Sequence, residues 1–362
     1  MVKLNWNSKE SNSKKICDLK RENSKSFKRF EIYPKNLNSF LEKGWKNSLY
    51  WGDNLEVSLK ILDSYEGKIN LIYIDPPFFS GVNYHINISH EGTKYDSTAY
   101  FDNWNSDLDS YLQMLFERFL IFHKLLANDG LIFVHLDYHA YHYVKILLDE
   151  IFGKNRFINE IIWYYYNKYS AGRNNLPRAH DNIMVYSKSN RYTFNEIRLP
   201  REKPRKQLKR IMVNGVLKNL KDEDGHVIYR MVTDKKLDDV WKIPCLQPAS
   251  KEWTGFPTQK HHKLLERIIK IGSNEGDIVA DLFCGSGTTL LAAERLNRRW
   301  IGCDISPYSI YITRKRLINN RLSRKNTQHK FNPIEFYSSL NEENLNLIKS
   351  GFFEKDLEIT RR

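Results

Sequence analysis

Residues 277–296 read DIVADLFCGSGTTLLAAERL, and this stretch decides the fold. An apolar run ends at Asp281, a turn with Gly285 and Gly287 follows, and a helical pattern begins near Thr288. Glycine lets a backbone turn sharply and approach a ligand, and the start of a helix offers unpaired N–H groups. The stretch therefore predicts a strand, a tight ligand-binding turn and a helix.

The alternation of strands and helices continues on both sides of this turn. Apolar runs typical of buried strands recur along the chain, with segments of helical spacing between them. Residues 82–105 are polar and aromatic, and we predict a loop there. Strands that alternate with helices predict an α/β fold with a doubly wound sheet. The apolar runs are SLYWGD (48–53), INLIYID (69–75), GLIFVHLD (130–137) and RRWIGCDI (298–305).

Composition divides the chain into five segments. A polar, basic lead precedes a first α/β segment, which is followed by a basic, irregular insert. A second α/β segment and a charged tail complete the chain. The segments are 1–47, 48–190, 191–245, 246–320 and 321–362.

The charge of the chain points to a polyanionic partner. Its 362 residues carry 57 Lys and Arg against 43 Asp and Glu, a net charge of +14. A strongly basic protein most often meets nucleic acid. The four cysteines are scattered without a CxxC pair, which favours a reducing, cytoplasmic compartment over a disulfide framework. No apolar run reaches the roughly 18 residues of a membrane span, and we expect neither a span nor a signal peptide.

The glycine turn favours a cationic nucleoside ligand. Asp304 ends the next strand, where an acid in doubly wound folds bonds ribose hydroxyls. Leu290 stands where a GxGxxG fingerprint needs glycine, and no Gly-Lys-Ser/Thr follows, which disfavours NAD and a P-loop. Asp281 before the turn suits a positively charged ligand such as S-adenosylmethionine (AdoMet). A packing turn without a ligand is the alternative.

A second motif, LIYIDPPFFSG (71–81), ends an apolar strand on an acid and two prolines. An exocyclic amine becomes nucleophilic when acceptors on its N–H groups favour tetrahedral nitrogen. Asp75 offers a carboxylate and Pro76 a carbonyl, which Pro77 restricts in direction. Such bonds strengthen as charge develops on nitrogen, and Phe78 is suited to stack on a base. The alternative is a strand terminator with a solvent-exposed aspartate.

DPPF and DLFCGSGTT resemble the amine-methylation and AdoMet motifs of DNA amino-methyltransferases. The catalytic motif comes first here, an order that resembles the permuted beta group of that family. TGFPTQK (254–260) and WGDN (51–54) resemble two further cofactor elements, with His261 where the family usually has proline. The resemblance implies a seven-stranded mixed sheet and an AdoMet cofactor. It makes 48–190 the catalytic half, 246–320 the AdoMet half and 191–245 the target-recognition region.

The resemblance also assigns residues to two sites. The target base is held by Asp75, Pro76, Pro77 and Phe78. The cofactor site is lined by Asp53, Thr258, Lys260, Asp281, Phe283, Gly285, Gly287, Thr288 and Asp304. For a DNA enzyme, the charge of the basic insert favours contacts to DNA phosphates, with a merely solvated face as the alternative; the residues are Arg201, Lys203, Arg205, Lys206, Lys209 and Arg210.

The resemblance implies a site-specific DNA methyltransferase that modifies the N6 amine of adenine. The base leaves the duplex, and the methyl group moves directly to nitrogen without a metal. Double-stranded DNA is the expected partner, a cognate restriction endonuclease and a second copy of the chain are candidate partners, and no membrane is involved. N4-cytosine methylation is the near alternative, although cytosine enzymes more often carry serine at the position of Asp75. A non-catalytic DNA-binding subunit and a methyltransferase of RNA or protein amines are the others.

A metal site is the remaining hypothesis for the histidine-rich stretch after the strand at 130–137. The proposed chemistry needs no metal, and His139 and His142 lie on a predicted helix face. We therefore expect no metal there. The residues concerned are His135, Asp137, His139 and His142.

Overall fold

The structure is a computed structural model that forms two compact units, Met1–Phe194 with Val240–Arg362, and Asn195–Asp239. Much of the predicted lead (1–47) and tail (321–362) lies outside the described residues. The described residues are 2–6, 9, 26–35, 44–90, 93–105, 107–168, 174–323, 331–341, 345 and 358–359.

The described part of the chain contains seventeen strands. They are β1 (Lys28–Tyr33), β2 (Asn47–Trp51), β3 (Ile69–Ile74), β4 (Tyr84–His90), β5 (Thr93–Tyr100), β6 (Leu126–Leu136), β7 (Phe157–Tyr164), β8 (His180–Ser187), β9 (Arg198–Leu208), β10 (Arg210–Val213), β11 (Val216–Asn219), β12 (Tyr229–Lys236), β13 (Val240–Lys242), β14 (Ile278–Asp281), β15 (Arg299–Asp304), β16 (Ile334–Ser338) and β17 (Glu358–Ile359).

Six α-helices accompany the strands in the described residues. None of them is long and apolar enough to cross a membrane. A π-turn at Asp149–Gly153 and a 3₁₀ turn at Lys154–Arg156 extend the third helix. The helices are α1 (Asn54–Tyr65), α2 (Leu108–Leu125), α3 (Tyr141–Leu148), α4 (His262–Gly272), α5 (Thr288–Arg295) and α6 (Pro307–Ser323).

The main sheet of the larger unit is mixed and has the order β1-β16-β2-β15-β14-β3-β6-β8-β7-β13. The expected α/β fold is present, but the predicted count of seven strands is wrong, because ten strands pair in this sheet. Of the additional strands, β1 and β13 form the two edges of the sheet, and β16 lies between β1 and β2. Their sequences, KRFEIY, IEFYS and VWK, are short and mix charged with apolar residues. Edge strands often have this composition, which carries little strand signal.

Helices cover both faces of the main sheet. Helices α1 to α3 share one buried core with Ile72 and Ile74 of β3. On the other face, the end of α4 approaches so closely that a Cβ on Gly272 would lie 2.6 Å from Leu71. Strand β3 is therefore buried on both faces, which leaves no sheet face open to a ligand. In such folds the ligand binds at the edge formed by the carboxyl ends of the parallel strands.

The predicted loop at 82–105 is wrong, since β4 and β5 form an antiparallel hairpin there. Strand β17 adds to β4 and makes a three-stranded sheet. The hairpin was missed because its strands, YHINISH and TKYDSTAY, contain many polar residues. Their alternation is therefore weak as a strand signal.

The smaller unit, Asn195–Asp239, is built of two antiparallel pairs, β9 with β12 and β10 with β11. It lies inside the predicted insert 191–245 and is a few residues shorter than that insert at each end. Its second end is set by β13, which pairs with β7 in the main sheet. The prediction of irregular structure is wrong. Asn214 and Gly215 both have positive φ and turn the chain between β10 and β11, which an Asn-Gly pair favours.

Candidate active site

A cleft of about 320 Å³ lies at the carboxyl ends of the central strands of the larger unit. Strands β2, β15, β14 and β3 are neighbours and run parallel. Their carboxyl ends therefore meet at one edge, and each is followed or ended by an acid. These acids all line the cleft and are Asp53, Asp75, Asp281 and Asp304.

Two acids hold the glycine turn, namely Asp281, which ends β14 just before it, and Asp304, which ends the neighbouring strand β15. Asp304 accepts hydrogen bonds from the backbone N–H of Gly285 at 2.8 Å and of Ser306 at 2.9 Å. Burial raises the pKa of Asp304. Burial also raises the pKa of Asp281 to about 7, and the negative charges of Asp75 and Asp304 raise it further. Hydrogen bonds from Thr289 and Phe283 lower this pKa but do not outweigh burial. The free cleft therefore holds an acid that a cationic ligand would ionise.

Gly287 does not line the cleft, although the resemblance assigned it to the cofactor site. It precedes α5 with φ +74, and a Cβ there would lie 2.5 Å from the Cγ2 of Thr313. Thr313 in turn donates from Oγ1 to the carbonyl of Gly285 at 3.0 Å. The role of Gly287 in the structure is to let α6 pack against the turn.

We expect Gly287→Ala to lower the free energy of unfolding by about 3 kcal/mol, since it combines left-handed strain with a clash. Gly276→Ala is the matched control. Its φ is +82, but nothing lies within 4 Å of a Cβ there, so only the strain of about 1–2 kcal/mol applies. Urea denaturation of both variants measures the difference. Equal losses would contradict the close approach of Thr313.

Asp53 lies two residues after the end of β2 and caps the start of α1. Its Oδ1 accepts from the backbone N–H of Leu55 at 2.8 Å, and its Oδ2 accepts from Arg118 at 2.9 Å. Arg118 is buried on α2 and also donates to the side chain of Asn54. No local pattern marks Arg118, because its side-chain partners Asp53 and Asn54 lie 65 and 64 residues away.

Asp75 directly follows the carboxyl end of β3, and its two carboxylate oxygens have different surroundings. Lys260 forms an ion pair with Oδ2 and lies 5.2 Å from the ring centroid of Phe78. Within the described residues, the buried Oδ1 has no hydrogen-bond partner. The cleft thus brings Lys260, predicted to hold the cofactor, into contact with the predicted catalytic acid.

The turn after Asp75 is fixed by Asp102, a buried residue that no sequence motif marks. Its carboxylate accepts from the backbone N–H of Phe78 at 3.2 Å, of Phe79 at 2.8 Å and of Ser80 at 3.0 Å. Phe79 has φ +64, a strained conformation that these bonds stabilise. The turn is therefore built before any ligand arrives.

Aromatic rings form one wall of the cleft. Tyr84 and Tyr100 stack with ring centroids 4.7 Å apart, and Tyr100 stacks on Phe256 at 6.5 Å. The hydroxyl of Tyr100 lies 3.1 Å from Oγ1 of Thr258. Flat rings beside four acids suit a ligand with both a planar group and positive charge.

Residues 69–315 match the family model of N6/N4 methyltransferases, described as DNA methylase. The chain belongs to this DNA methylase family. Relatives are the type II methyltransferase M.EcaI of Enterobacter cloacae (29% identical over 331 residues, 76% of this chain and 70% of the relative) and M.HpaI of Haemophilus parainfluenzae (28% over 318 residues, 80% and 88%). The solved structure of PvuII DNA methyltransferase (cytosine-N4-specific) shares the fold. It is 17% identical, covers 86% of this chain and 94% of that chain, and has a TM-score of 0.50.

Family membership confirms the predicted resemblance to amino-methyltransferases and the predicted cofactor class, AdoMet. The structure brings the predicted base-binding and cofactor residues of the methylase around one cleft, with the exception of Gly287. The residues that line it are Asp53, Asp75, Pro76, Pro77, Phe78, Thr258, Lys260, Asp281, Phe283, Gly285, Thr288 and Asp304.

Two features of the methylase concern the metal hypothesis and the departure at His261. Among the described residues, the groups whose ligand atoms lie close enough to hold a metal ion do not include His135, Asp137, His139 and His142. Glu252, His261 and His262 do cluster, but His261 caps α4 by accepting from the N–H of Lys263 at 3.2 Å. His261 therefore starts the helix where the family usually has proline.

We expect Asp102→Ala to lower the free energy of unfolding of the methylase by about 3 kcal/mol, because three backbone N–H groups lose their acceptor. Methyl transfer should also fall, since the turn that carries Phe78 loosens. Thermal denaturation and a methylation assay measure both effects. Asp109→Ala is the control, because Asp109 is an exposed acid of α2. A stable Asp102→Ala variant with full activity would contradict this role.

Proposed function

We propose that the protein is a site-specific DNA methyltransferase that moves a methyl group from AdoMet to the N6 amine of adenine in duplex DNA. The observation that carries this proposal is the carboxylate of Asp75. Its buried Oδ1 has no hydrogen-bond partner among the described residues, and the side chain opens onto the same cleft as the glycine turn. An acceptor without a donor is available to the N–H of an incoming amine.

The chemistry of the cleft fits AdoMet. Its volume of about 320 Å³ lies in the range of small-molecule sites. Asp281 offers a carboxylate to a cation, Asp53 and Asp304 offer acceptors to ribose and amine groups, and Phe283 and Phe256 offer apolar surface. The bound cofactor supplies a methyl group made electrophilic by a sulfonium. Lys260 is a suitable cation for the cofactor's carboxylate.

The residues of the DPPF turn prepare the amine. We propose that Asp75 and the carbonyl of Pro76 each accept one N–H, which directs the nitrogen lone pair away from the ring. Phe78 stacks on the base, which must leave the duplex to enter the cleft. Holding the amine and the methyl donor in one orientation accounts for much of the rate gain.

The choice of adenine over cytosine rests on Asp75 itself. A carboxylate binds an amino N–H more strongly than a hydroxyl does, and cytosine enzymes of the resembling family more often carry serine at this position. The two amines are chemically alike, so the identity of residue 75 is the feature that favours adenine.

The smaller unit is the proposed DNA-recognition region. All six of its predicted phosphate contacts lie at exposed or half-buried positions on or beside β9. Four of them, Arg201, Arg205, Lys206 and Arg210, line a groove of about 480 Å³ together with Tyr229. Clustered cations of this kind supply the salt-dependent part of DNA affinity. In a cell we propose that this recognition serves a restriction–modification system in the cytoplasm.

Transfer of tritium from labelled AdoMet to plasmid DNA tests the function. We expect labelled DNA, and nucleoside analysis should place the label in N6-methyladenine. Label in N4-methylcytosine would overturn the adenine assignment but keep the enzyme class. Label in RNA or in added protein, with none in DNA, would overturn the DNA substrate. Methylation-aware sequencing of the product then reads the recognition sequence.

A further inference from the structure

His135 is a fully buried histidine directly behind the catalytic acid. Ile74 pairs with Val134 in the sheet, so the next residues, Asp75 and His135, lie side by side at the ends of β3 and β6. The Nδ1 of His135 lies 2.9 Å from the hydroxyl of Tyr73 and 3.8 Å from Oδ1 of Asp75. This imidazole is close enough to the catalytic acid to take part in the proposed reaction.

Asp181 lies on the other side of the same ring. Its Oδ2 is 3.4 Å from the Nε2 of His135, and its Oδ1 accepts from the hydroxyl of Tyr165 at 3.0 Å. The ring of His135 is enclosed by those of Phe78 at 5.7 Å and Trp163 at 5.5 Å. The imidazole is thus placed between two carboxylates and screened from water by aromatic rings.

Methylation of an amine leaves a proton to be removed. When the nitrogen bonds the methyl carbon and the carbon–sulfur bond breaks, the sulfonium charge moves to nitrogen. The neutral methylamine forms only when one N–H proton departs. Asp75 is the proposed acceptor of that N–H, but Lys260 at its Oδ2 disfavours a further positive charge there.

We propose that His135, oriented by Asp181, takes the proton released at the amine through Asp75. The N–H bond breaks as a proton moves to Oδ1 of Asp75. The proton then passes to Nδ1 of His135 as the 3.8 Å between these two atoms closes to hydrogen-bond distance. The product is an imidazolium between two carboxylates, and no oxidant or co-reactant is needed. This inference rests on the proposed function and makes His135 and Asp181 positioning and proton-accepting residues of that reaction.

The charges around His135 support this direction of transfer. Burial raises the pKa of Asp181, but the hydrogen bond and charge of His135 and the charge of Lys260 outweigh burial and lower it. Asp181 therefore stays ionised and stabilises an imidazolium. Burial raises the pKa of Tyr73 further above its usual value, with the charge of Asp75 adding to the effect. Tyr73 thus stays neutral, and its hydroxyl oxygen, 2.9 Å from Nδ1, can accept from Nδ1–H once the imidazolium forms.

Single-turnover methylation of a duplex with saturating AdoMet tests the relay. We expect His135→Gln to lower the rate by about tenfold or more, because glutamine fills the site but accepts no proton. The rate of the unaltered protein should fall at acid pH, where the acceptor is already protonated, and this fall should be absent in His135→Gln. His139→Gln is the matched control, since His139 contacts Asp137 on the partly exposed side.

The affinities for AdoMet and for duplex DNA, with the melting temperature, separate a relay from a structural role. The relay predicts that both affinities and the melting temperature stay unchanged in His135→Gln. The methylation rate should be lower, and its decrease at acid pH should disappear. If His135→Gln does not fold, Asp181→Asn takes its place, with the same expected slowing. A rate within twofold of the unaltered protein, or an unchanged pH profile, would overturn the relay. Absence of methyl transfer by the unaltered protein would instead overturn the proposed function.

Discussion

We expect Asp75→Ala to lower the single-turnover rate of methyl transfer by about 10²–10³-fold. The carboxylate is the charged acceptor that strengthens its bond as nitrogen becomes positive. Removing it leaves only the carbonyl of Pro76 to direct the lone pair. Affinity for AdoMet should change far less than the rate, because Asp281 and Asp304 still line the cleft.

The buried partner of Asp75 complicates this variant and determines its controls. Asp75→Ala leaves the ammonium of Lys260 buried without its carboxylate, which costs stability. Asp75→Asn keeps the shape and removes only the charge, and the double variant Asp75→Ala with Lys260→Met removes both charges. All three should be inactive, whereas Asp109→Ala should be normal. A folded Asp75→Asn protein that methylates DNA at the normal rate would sink the proposed role.

The parts of the site that sequence could predict are those encoded in one continuous stretch. Asp75 to Phe78 and Asp281 to Thr288 each carry their chemistry within a few residues, so strand, turn and acid are read together. Because neighbouring strands of a parallel sheet run in the same direction, their carboxyl ends lie at the same edge of the sheet. This is why two motifs about 200 residues apart in sequence could be placed in one cleft.

The parts that sequence could not predict depend on contacts between distant residues. Asp102 binds the N–H of Phe79, 23 residues away, and no local pattern marks a buried acid as an acceptor for a turn. The sequence suggests only a metal role for His135, because its neighbour Asp181 comes from an antiparallel strand whose register no local pattern gives. The close contact between Gly287 and Thr313 is equally invisible in the sequence. In each case the missing information was side-chain packing.

The affinity for AdoMet should weaken as the pH is lowered, because of Asp281. Burial raises the pKa of its carboxyl to about 7 in the free protein, so the group is largely protonated at pH 5. A cationic ligand favours the ionised form, and binding must then release the proton. We expect affinity to weaken by roughly 50-fold between pH 7 and pH 5. Asp304, whose pKa burial also raises, adds an effect of the same sign.

The same shift affects stability in the opposite direction from a paired surface acid. The pKa of Asp281 is higher in the folded protein than its usual value of 3.8. The folded state therefore binds more protons between about pH 4 and pH 7, and Asp281 destabilises it increasingly as pH rises through that window. Asp281→Asn should be more stable at pH 8, should bind AdoMet weakly, and should lose most of the pH dependence of binding.

Isothermal titration calorimetry of AdoMet at pH 5, 6, 7 and 8 measures this linkage, with Asp281→Asn and the exposed-site control Asp109→Asn beside it. Proton release on binding is a second readout, because the heat then depends on the ionisation enthalpy of the buffer. Affinity that is flat with pH in the unaltered protein would mean that Asp281 is already ionised in the free cleft. Weak binding by Asp281→Asn would still mark it as a cofactor contact, so the two results separate the charge state of Asp281 from its location.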